Sequence, residues 1–188
     1  MANVVGALAN EIAILTTAKA DPSAFAAVYD HYFSSIYNYV RYRVPDAAQA
    51  EDLTAHVFER VLANLGSFDH HQAAFAVWLF TVARNLVTDY LRAQKRRNWF
   101  SLEQVSEQAQ PSPLPEEQVI HGEMQDALLA ALSLLGDRER DLLALKFVAQ
   151  MTNRRIAELT GLSESNVGVI LHRALGRLRS ELQEKDEA

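Results

Sequence analysis

The residue types that could do chemistry in this chain are concentrated in the stretch Ala73–Arg97. Four polar side chains recur there at steps of four, three and four: Asn85, Asp89, Arg92 and Arg96. This spacing predicts one face of a helix, and amide, carboxylate and guanidinium groups are the types that read base edges and hold phosphates. Residues 84–97 carry five cations and one anion, a local charge of +4 in a chain of net charge −6. The pattern indicates a nucleic-acid-binding face, and composition alone leaves open a surface helix with solvated charges.

The other side of the same stretch is apolar and would anchor that face to a core. Four residues recur at helical steps and are predicted to point inward: Leu79, Ala83, Leu86 and Tyr90. The chain is 49% hydrophobic with only seven Gly and five Pro, and no run of β-branched residues alternates convincingly. We therefore predict an all-α fold of two small helical domains joined by a flexible linker.

Charge, cysteine content and motifs narrow the function classes. The absence of cysteine excludes disulfides and thiolate metal sites and fits a reducing cytoplasm. A net charge of −6 argues against a general nucleic-acid coat, so binding would have to come from local basic faces. We find no Gly-rich phosphate loop, metal-ligand set or nucleophile–base pair, so we expect no enzyme activity and no cofactor. Residues 1–20 lack the features of a signal peptide or a spanning helix, so membrane insertion is not predicted.

The first half of the chain has clear helix signals. Asp21 and Pro22 predict a helix start, and a broad core-facing stripe follows at helical spacing: Phe25, Val28, Tyr29, Tyr32, Phe33, Ile36, Tyr39 and Val40. After Pro45 a second helix is expected to bury Leu53, Val57, Val61 and Leu65 and to expose Asp52, His56 and Glu59. For residues 1–20, the sequence leaves open a short helix with Val4, Val5, Leu8, Ile12 and Leu15 on one face, or a loosely attached extension.

The second half predicts a helix-turn-helix. Asp137 is expected to cap one helix, Asn153–Thr160 to form the next, Gly161 to make the turn and Ser163 to cap a last helix that ends near Leu182. The last helix would bury Val167, Leu171, Ala174 and Leu178. Its first half would expose Ser165, Val169, His172 and Arg173, where such helices read the major groove, and Arg177 and Arg179 could take phosphates.

Between the two halves the composition changes. Residues 101–126 hold six acids and no Lys or Arg, and Pro111, Pro113 and Pro115 interrupt the stretch, which predicts a flexible or partly extended linker. The predicted organisation is an extension at 1–20, a first domain at 21–98, an acidic Pro-containing linker at 99–120, a helix-turn-helix domain at 121–183 and a tail at 184–188.

Specific residues in both halves resemble one protein family. Ala50-Glu51-Asp52-Leu53-Thr54, Val57-Phe58, Phe75, Trp78-Leu79 and Ala83-Arg84-Asn85 resemble the promoter-melting domain of bacterial RNA polymerase sigma factors, most closely the extracytoplasmic-function (ECF) group. Ser163-Glu164-Ser165-Asn166-Val167 and Leu171-His172-Arg173-Ala174-Leu175 resemble the −35-binding domain of that family. Two patterns in family order, on either side of a linker, are more specific than a helix-turn-helix alone.

The resemblance implies a role for each candidate site. The helix of Asp52 would dock on the β′ clamp of core RNA polymerase, with His56 and Glu59 beside it. The loop 66–74 and the helix after it would hold the opened −10 strand through Phe68, Phe75, Trp78, Arg84, Asn85, Asp89, Arg92, Lys95 and Arg96. The −35 contacts would come from Ser163, Ser165, Asn166, Val169, His172, Arg173, Arg177 and Arg179. His70 and His71 are adjacent, and we expect a solvated loop there rather than a metal site.

The sequence therefore predicts a factor that binds core RNA polymerase through its β′ clamp and β subunits, recognises duplex and single-stranded promoter DNA, and promotes melting. An anti-sigma factor would be a further partner. The alternative is a helix-turn-helix regulator that acts without insertion into polymerase, which leaves Ala73–Arg97 unexplained. An enzyme is a more distant alternative.

Overall fold

The computed structural model describes residues 8–100 and 119–186, with side chains for 8–97 and 125–183. Within these ranges the regular structure is entirely helical, which confirms the predicted all-α class. Eight α-helices are present in the described residues: α1 (Glu11–Ala18), α2 (Ala26–Arg43), α3 (Ala47–Ala63), α4 (Phe75–Phe100), α5 (Val119–Ser133), α6 (Asp137–Leu143), α7 (Asn153–Thr160) and α8 (Glu164–Asp186). None of them is long and apolar enough to cross a membrane.

The first domain is a bundle of α1 to α4. As predicted, the Asp21 carboxylate accepts a hydrogen bond from the Ser23 amide at 2.9 Å, at the start of a 3₁₀ turn that leads into α2. The predicted core stripe of α2 is largely buried, but Tyr29 is 38% exposed because it lies at the edge of that face. The hydroxyl of Tyr32 donates to Glu11 of α1 at 2.5 Å. This bond and buried Leu15 attach α1 to the domain, so the described part of the first segment is folded. Val4 and Val5 lie outside the described residues.

Helices α3 and α4 complete this domain. The Asp46 carboxylate caps α3 by accepting from the Gln49 amide at 2.8 Å. The four predicted inward positions of α3, with Leu65 just beyond its end, are all buried: Leu53, Val57, Val61 and Leu65. On α4, Leu79 and Ala83 are fully buried as predicted, while Leu86 and Tyr90 are only half-buried. Phe80 and Val87 are buried as well, so the core face is turned slightly from the predicted one.

The second domain contains the predicted helix-turn-helix. Helix α7 begins at Asn153 and ends at Thr160, Gly161 follows in the left-handed conformation with φ 74°, and α8 begins at Glu164. Val167, Leu171, Ala174 and Leu178 are buried as predicted. The helix α8 extends to Asp186, beyond the predicted end.

The start of α6 differs from the prediction. Gly136 occupies the cap position, and its amide donates to the Glu139 carboxylate at 2.8 Å. Asp137 is the first helical residue instead of the cap, because the Glu139 side chain reaches back to the cap amide and already satisfies it. The Asp137 carboxylate is consequently free to bind side chains elsewhere.

Helix α6 continues into a π turn, Ala144–Val148. The Ala149 amide donates to the carbonyl of Ala144, five residues earlier, at 3.1 Å. Such turns contain one residue more per hydrogen-bonded ring than an α-helix. Both α6 and the π turn pack against α2 of the first domain, and the buried residues of the two domains form one continuous apolar cluster.

Candidate nucleic-acid interface

The α4 polar face (Asn85, Asp89, Arg92 and Arg96) is exposed along its length. The Arg92 guanidinium lies 3.7 Å from the Asp89 carboxylate, a surface contact of two well-exposed side chains that contributes little to stability. Because Leu79, Ala83 and Val87 anchor the opposite side in the core, the face is held rigidly and oriented to solvent. Its amide, carboxylate and guanidinium groups are therefore available to a strand of nucleic acid.

The aromatic side chains beside this face are differently placed. Phe68 and Phe75 are buried, and their rings meet edge-on with centroids 5.3 Å apart. Phe75 also packs edge-on against Tyr32 at 5.6 Å. These contacts occupy both rings in the core, so neither presents a free face for base stacking in this form. Trp78 is half-buried, with its ring 5.2 Å from Phe68 and 5.8 Å from Phe75, and it is the one of the three with exposed surface.

Arg84 is engaged by the second domain. Its Nε donates to the Asp141 carboxylate at 2.9 Å and its Nη1 to the Leu159 carbonyl at 3.4 Å. The side chain is 22% exposed. Arg84, which was predicted to contact nucleic acid, is thus already paired with the Asp141 carboxylate of the same chain.

The Asp141 carboxylate is the centre of a buried polar cluster between the domains. Its Oδ1 accepts from the Tyr39 hydroxyl at 2.9 Å and lies 3.3 Å from Arg43 Nη1. Arg43 also donates to Thr88 Oγ1 at 3.3 Å. We call Tyr39, Arg43, Arg84 and Asp141 the clasp. Since Arg43 and Asp141 are 4% and 5% exposed, these charges are withdrawn from water and depend on each other for compensation.

The electrostatics of the clasp keep its hydrogen bonds in place at ordinary pH. Burial and the neighbouring Asp141 carboxylate raise the pKa of the Tyr39 hydroxyl far above its usual value. Tyr39 therefore remains a hydrogen-bond donor to Asp141. The Nε of Arg43 is buried and finds no hydrogen-bond acceptor among the described residues, and two guanidinium groups, of Arg43 and Arg84, share the single carboxylate of Asp141.

Sequence reasoning missed Tyr39, Arg43 and Asp141 as a polar site, although a signal was present. Arg43 follows Ile36, Tyr39 and Val40 at helical spacing on the apolar face of α2, where a cation requires a buried partner. Asp141 stands directly before the apolar run that starts at Leu142. A charge on a predicted core face is the pattern that could have identified both.

A second ion pair joins the domains nearby. Lys95 of α4 donates to the Asp137 carboxylate, which also accepts from Arg140 at 2.6 Å. Burial by itself raises the pKa of Asp137, but the hydrogen bonds from Lys95 and Arg140 outweigh it and hold that pKa below its usual value. Lys95, like Arg84, was predicted to contact nucleic acid, and both are paired with carboxylates of α6.

The helix-turn-helix presents its predicted contacts to solvent. The Ser163 hydroxyl caps α8 by accepting from the Asn166 amide at 3.2 Å. All eight predicted residues of this site are exposed: Ser163, Ser165, Asn166, Val169, His172, Arg173, Arg177 and Arg179. Arg177 donates to the Glu139 carboxylate at 2.9 Å and to the Leu134 carbonyl at 3.0 Å, so it also connects α8 to α6 and to the residue that follows α5.

The predicted polymerase-facing residues lie on the outer side of α3. Asp52, His56 and Glu59 are all exposed. His56 and Glu59 line a shallow groove of about 460 Å³ between α3 and α4, together with Arg60, Ala63 and Leu86. The groove is open to solvent.

The loop before α4 brings Asp69, His70 and His71 close together. Ligand atoms of the three lie within 4.8 Å of one another, and all three residues are exposed. The Asp69 carboxylate already accepts from the His71 amide at 2.9 Å and from Gln72 at 3.0 Å. These bonds fold the loop and account for the proximity without an ion.

Comparison with known protein families agrees with this arrangement. Residues 28–97 match Sigma-70 region 2, and residues 125–178 match Sigma-70 region 4. The first match contains α4 up to residue 97, and the second contains α7 and most of α8. The two matched regions therefore coincide with the two candidate surfaces, in the order typical of sigma factors.

Two relatives extend the match along the chain. The ECF RNA polymerase sigma factor SigL of Mycobacterium tuberculosis is 30% identical over 185 residues, which cover 98% of this chain and 97% of SigL. The ECF sigma factor BldN of Streptomyces coelicolor is 30% identical over 158 residues, which cover 84% of this chain and 60% of the length of BldN. The chain belongs to the ECF family of RNA polymerase sigma factors, as the sequence resemblance predicted.

A solved structure has the same fold. The sigma factor RpoE of Bartonella quintana, crystallised with the anti-sigma factor NepR, superimposes with a TM-score of 0.68 over 85% of this chain and 96% of the RpoE chain, at 20% identity. The agreement confirms two helical domains of the sigma type.

Proposed function

We propose that this protein binds core RNA polymerase, recognises the −10 and −35 elements of promoters and promotes DNA melting at the start of transcription. The observation that carries the proposal is the presence of two different exposed polar surfaces on two domains of one chain. The α4 polar face has the groups that contact a single strand, and the exposed half of α8 has those that read a duplex.

The −10 strand is assigned to the α4 polar face, with Trp78 near its start. A displaced strand needs a surface for stacking, polar groups for base edges and cations along its phosphates. Trp78 offers the exposed ring, Asn85 the amide, and Arg92 and Arg96 the cations. Phe68 and Phe75 pack against the Trp78 ring from the core. They therefore affect DNA binding by fixing the position of that ring.

The −35 duplex is assigned to α8. Its N-terminal half exposes Ser165, Val169, His172 and Arg173 on one side, while Val167 and Leu171 hold the other side in the core. A helix presented in this way enters the major groove with its first turns. Arg179 is exposed further along the helix and takes a phosphate.

Protein partners are assigned to other surfaces. The exposed Asp52, His56 and Glu59 are assigned to the polymerase clamp, since the sigma-factor resemblance implies that this helix docks there. They form a polar stripe on a helix whose opposite side is packed in the core. The RpoE relative was crystallised with an anti-sigma factor, and we propose that this chain also has such a partner. No bond is made or broken by the protein itself, since binding energy for the opened strand drives melting.

Run-off transcription with purified core polymerase tests the proposal. The chain should direct initiation from its promoter, whereas a regulator acting alone would not. The variant Asn85→Ala/Arg92→Ala should lower the fraction of open complexes, measured by permanganate reactivity of exposed thymines, because the opened strand loses an amide contact and a cation. A template with a pre-melted −10 bubble should restore part of the activity.

The matched control is Arg138→Ala, which removes an exposed cation of α6 that belongs to neither assigned surface. It should leave opening unchanged. Unaltered opening of the closed duplex by the double variant would remove the α4 polar face from the −10 site.

A further inference from the structure

The loop before α4 carries two imidazole rings that the fold of the loop does not use. His70 and His71 are both exposed, and their ring centroids lie 3.9 Å apart at an interplanar angle of 40°. Neither imidazole takes part in a hydrogen bond among the described residues, where the bonds of this loop run to Asp69. The two rings, which we call the imidazole pair, therefore present aromatic surface to solvent.

Asp69 gives the loop its shape. Its carboxylate accepts from the backbone amide of His71 at 2.9 Å and from the Gln72 side chain at 3.0 Å, and its carbonyl accepts from the Gln72 amide at 3.1 Å. The bond from the His71 amide is the main reason that the pKa of Asp69 lies below its usual value, so the carboxylate stays ionised and engaged. Because His71 contributes its backbone and not its ring, the loop positions the imidazole pair without depending on it.

The imidazole pair is tethered close to Trp78, the ring already assigned to the −10 strand. The Phe68 ring packs 5.2 Å from Trp78, and His70 follows Phe68 by two residues, which span at most about 7 Å. On the other side of the loop, the Trp78 amide donates to the Ala74 carbonyl at 3.2 Å, three residues after His71. A strand that stacks on Trp78 therefore passes within reach of both imidazoles.

The charge of the loop decides how it could hold a nucleic acid. Residues 66–74 contain no Lys or Arg, and their one carboxylate belongs to Asp69. A cation reaches the loop from outside, because Lys19, just after α1, donates to the Phe68 carbonyl at 3.4 Å. The loop itself cannot attract phosphates with cations of its own, but nucleobases stack on exposed aromatic and imidazole rings. Ring surface is therefore what this loop offers to a strand.

We propose that the imidazole pair stacks on a base of the opened −10 strand, in the role that the sequence gave to the rings of Phe68 and Phe75. Those two rings are buried, and His70 and His71 are the exposed rings of the loop. The inference rests on the proposed function, since it concerns the strand that the α4 polar face holds. It makes His70 and His71 binding residues for that strand, beside Trp78.

Substitution of both rings in the holoenzyme with core polymerase tests the proposal. The variant His70→Ala/His71→Ala should bind a labelled template with a pre-melted −10 bubble about fivefold more weakly than the natural chain or worse, because the stacking of one base is lost. The variant His70→Phe/His71→Phe keeps ring surface and should restore most of that affinity. Both variants keep the His71 amide and Asp69, so their unfolding by urea should match that of the natural chain.

Removal of bases from the DNA locates the contact. Templates that lack one base at a time in the opened −10 strand should show a loss of affinity for the natural holoenzyme at the stacked position. The same template should cause no further loss for His70→Ala/His71→Ala, because its partner rings are already absent. A merely structural role of the two histidines would instead lower the affinity for every template by the same factor.

Two controls separate the proposal from its alternatives. Binding of an isolated −35 duplex uses α8 and should be equal for the natural chain and both variants. Ligand atoms of Asp69, His70 and His71 lie within 4.8 Å of one another, so a zinc chelator tests whether a metal ion is responsible, and it should leave the bubble affinity of the natural holoenzyme unchanged.

Three results would overturn the stacking role. They are a difference between natural and alanine chains that the chelator abolishes, an identical profile of base removal in both chains, and phenylalanine rings that fail to restore affinity. A natural holoenzyme that does not bind the pre-melted bubble at all would refute the proposed function, and the stacking role with it.

Discussion

Gly161 offers a quantitative test of how the helix-turn-helix is built. Its backbone is left-handed, with φ 74° and ψ 13°, and its amide donates to the Ala157 carbonyl at 2.9 Å. A Cβ at this position would meet no described atom within 4 Å. The only cost of Gly161→Ala is therefore the strain of a side chain in a left-handed conformation, about 1–2 kcal/mol. For a chain of this size, that loss corresponds to a fall in Tm of about 2–8 °C.

Gly176→Ala is the matched control. Gly176 lies within α8 in ordinary helical conformation, and a Cβ there also meets no described atom within 4 Å. Alanine is favoured over glycine inside a helix by about 0.5–1 kcal/mol, so this variant should be more stable than the natural chain. The same chemical change thus has opposite signs at the two positions.

Urea unfolding followed by circular dichroism of the helices measures the free energy of unfolding of both variants. The slope of that free energy against urea concentration should be unchanged, because neither variant alters the surface exposed on unfolding. Gly161→Asn should fall between the natural chain and Gly161→Ala, since asparagine tolerates the left-handed conformation. A Gly161→Ala variant as stable as the natural chain would refute the reasoning, and so would shifts of the same sign in both alanine variants.

Three other predictions concern the surfaces. Arg173→Ala should weaken −35 binding by about 1–3 kcal/mol and relax preference at one base pair. Arg179→Ala should instead weaken binding to all sequences alike and reduce the dependence of log affinity on log salt concentration by about 0.9. Titrations at several salt concentrations measure both variants, and identical behaviour of the two would show that the roles are misassigned. Asp52→Arg should impair capture of core polymerase while the free energy of unfolding stays within about 0.5 kcal/mol, and normal capture would exclude Asp52 from the docking surface. Because the folded chain holds the pKa of Asp137 below its unfolded value, its stabilising contribution is present above about pH 4 and is lost as the pH falls further. The stability difference between the natural chain and Asp137→Asn should accordingly be larger at pH 7 than at pH 3, and an equal difference at both would contradict the assigned contacts.

The helices and their buried faces could be predicted from sequence because local patterns determine them. The apolar spacing of Leu53, Val57 and Val61 and the cap at Asp46 are read directly from the chain, and the structure confirms them. The helix-turn-helix could also be predicted, because a glycine turn between two amphipathic helical segments is compatible with few other arrangements of those segments. These features involve residues within one or two helical turns of each other.

The relation between the domains could not be predicted in this way. Asp141 meets Tyr39 across 102 positions of sequence, and no periodicity connects them. The same holds for Phe75, whose ring is read from sequence as a stacking surface and is buried by contacts with Phe68 and Tyr32.

The π turn at Ala144–Val148 has a consequence for how the chain tolerates deletions. A π turn holds one residue more than the α turn it replaces, so the extra residue is absorbed within the turn and the flanking segments keep their phase. Removing a single residue, such as half-buried Lys146, would let the segment relax to an ordinary α-helix with Asp141 before it and Met151 after it still in their buried positions. A one-residue deletion there should therefore be tolerated far better than one in the middle of α3, which would turn the rest of that helix by about 100°.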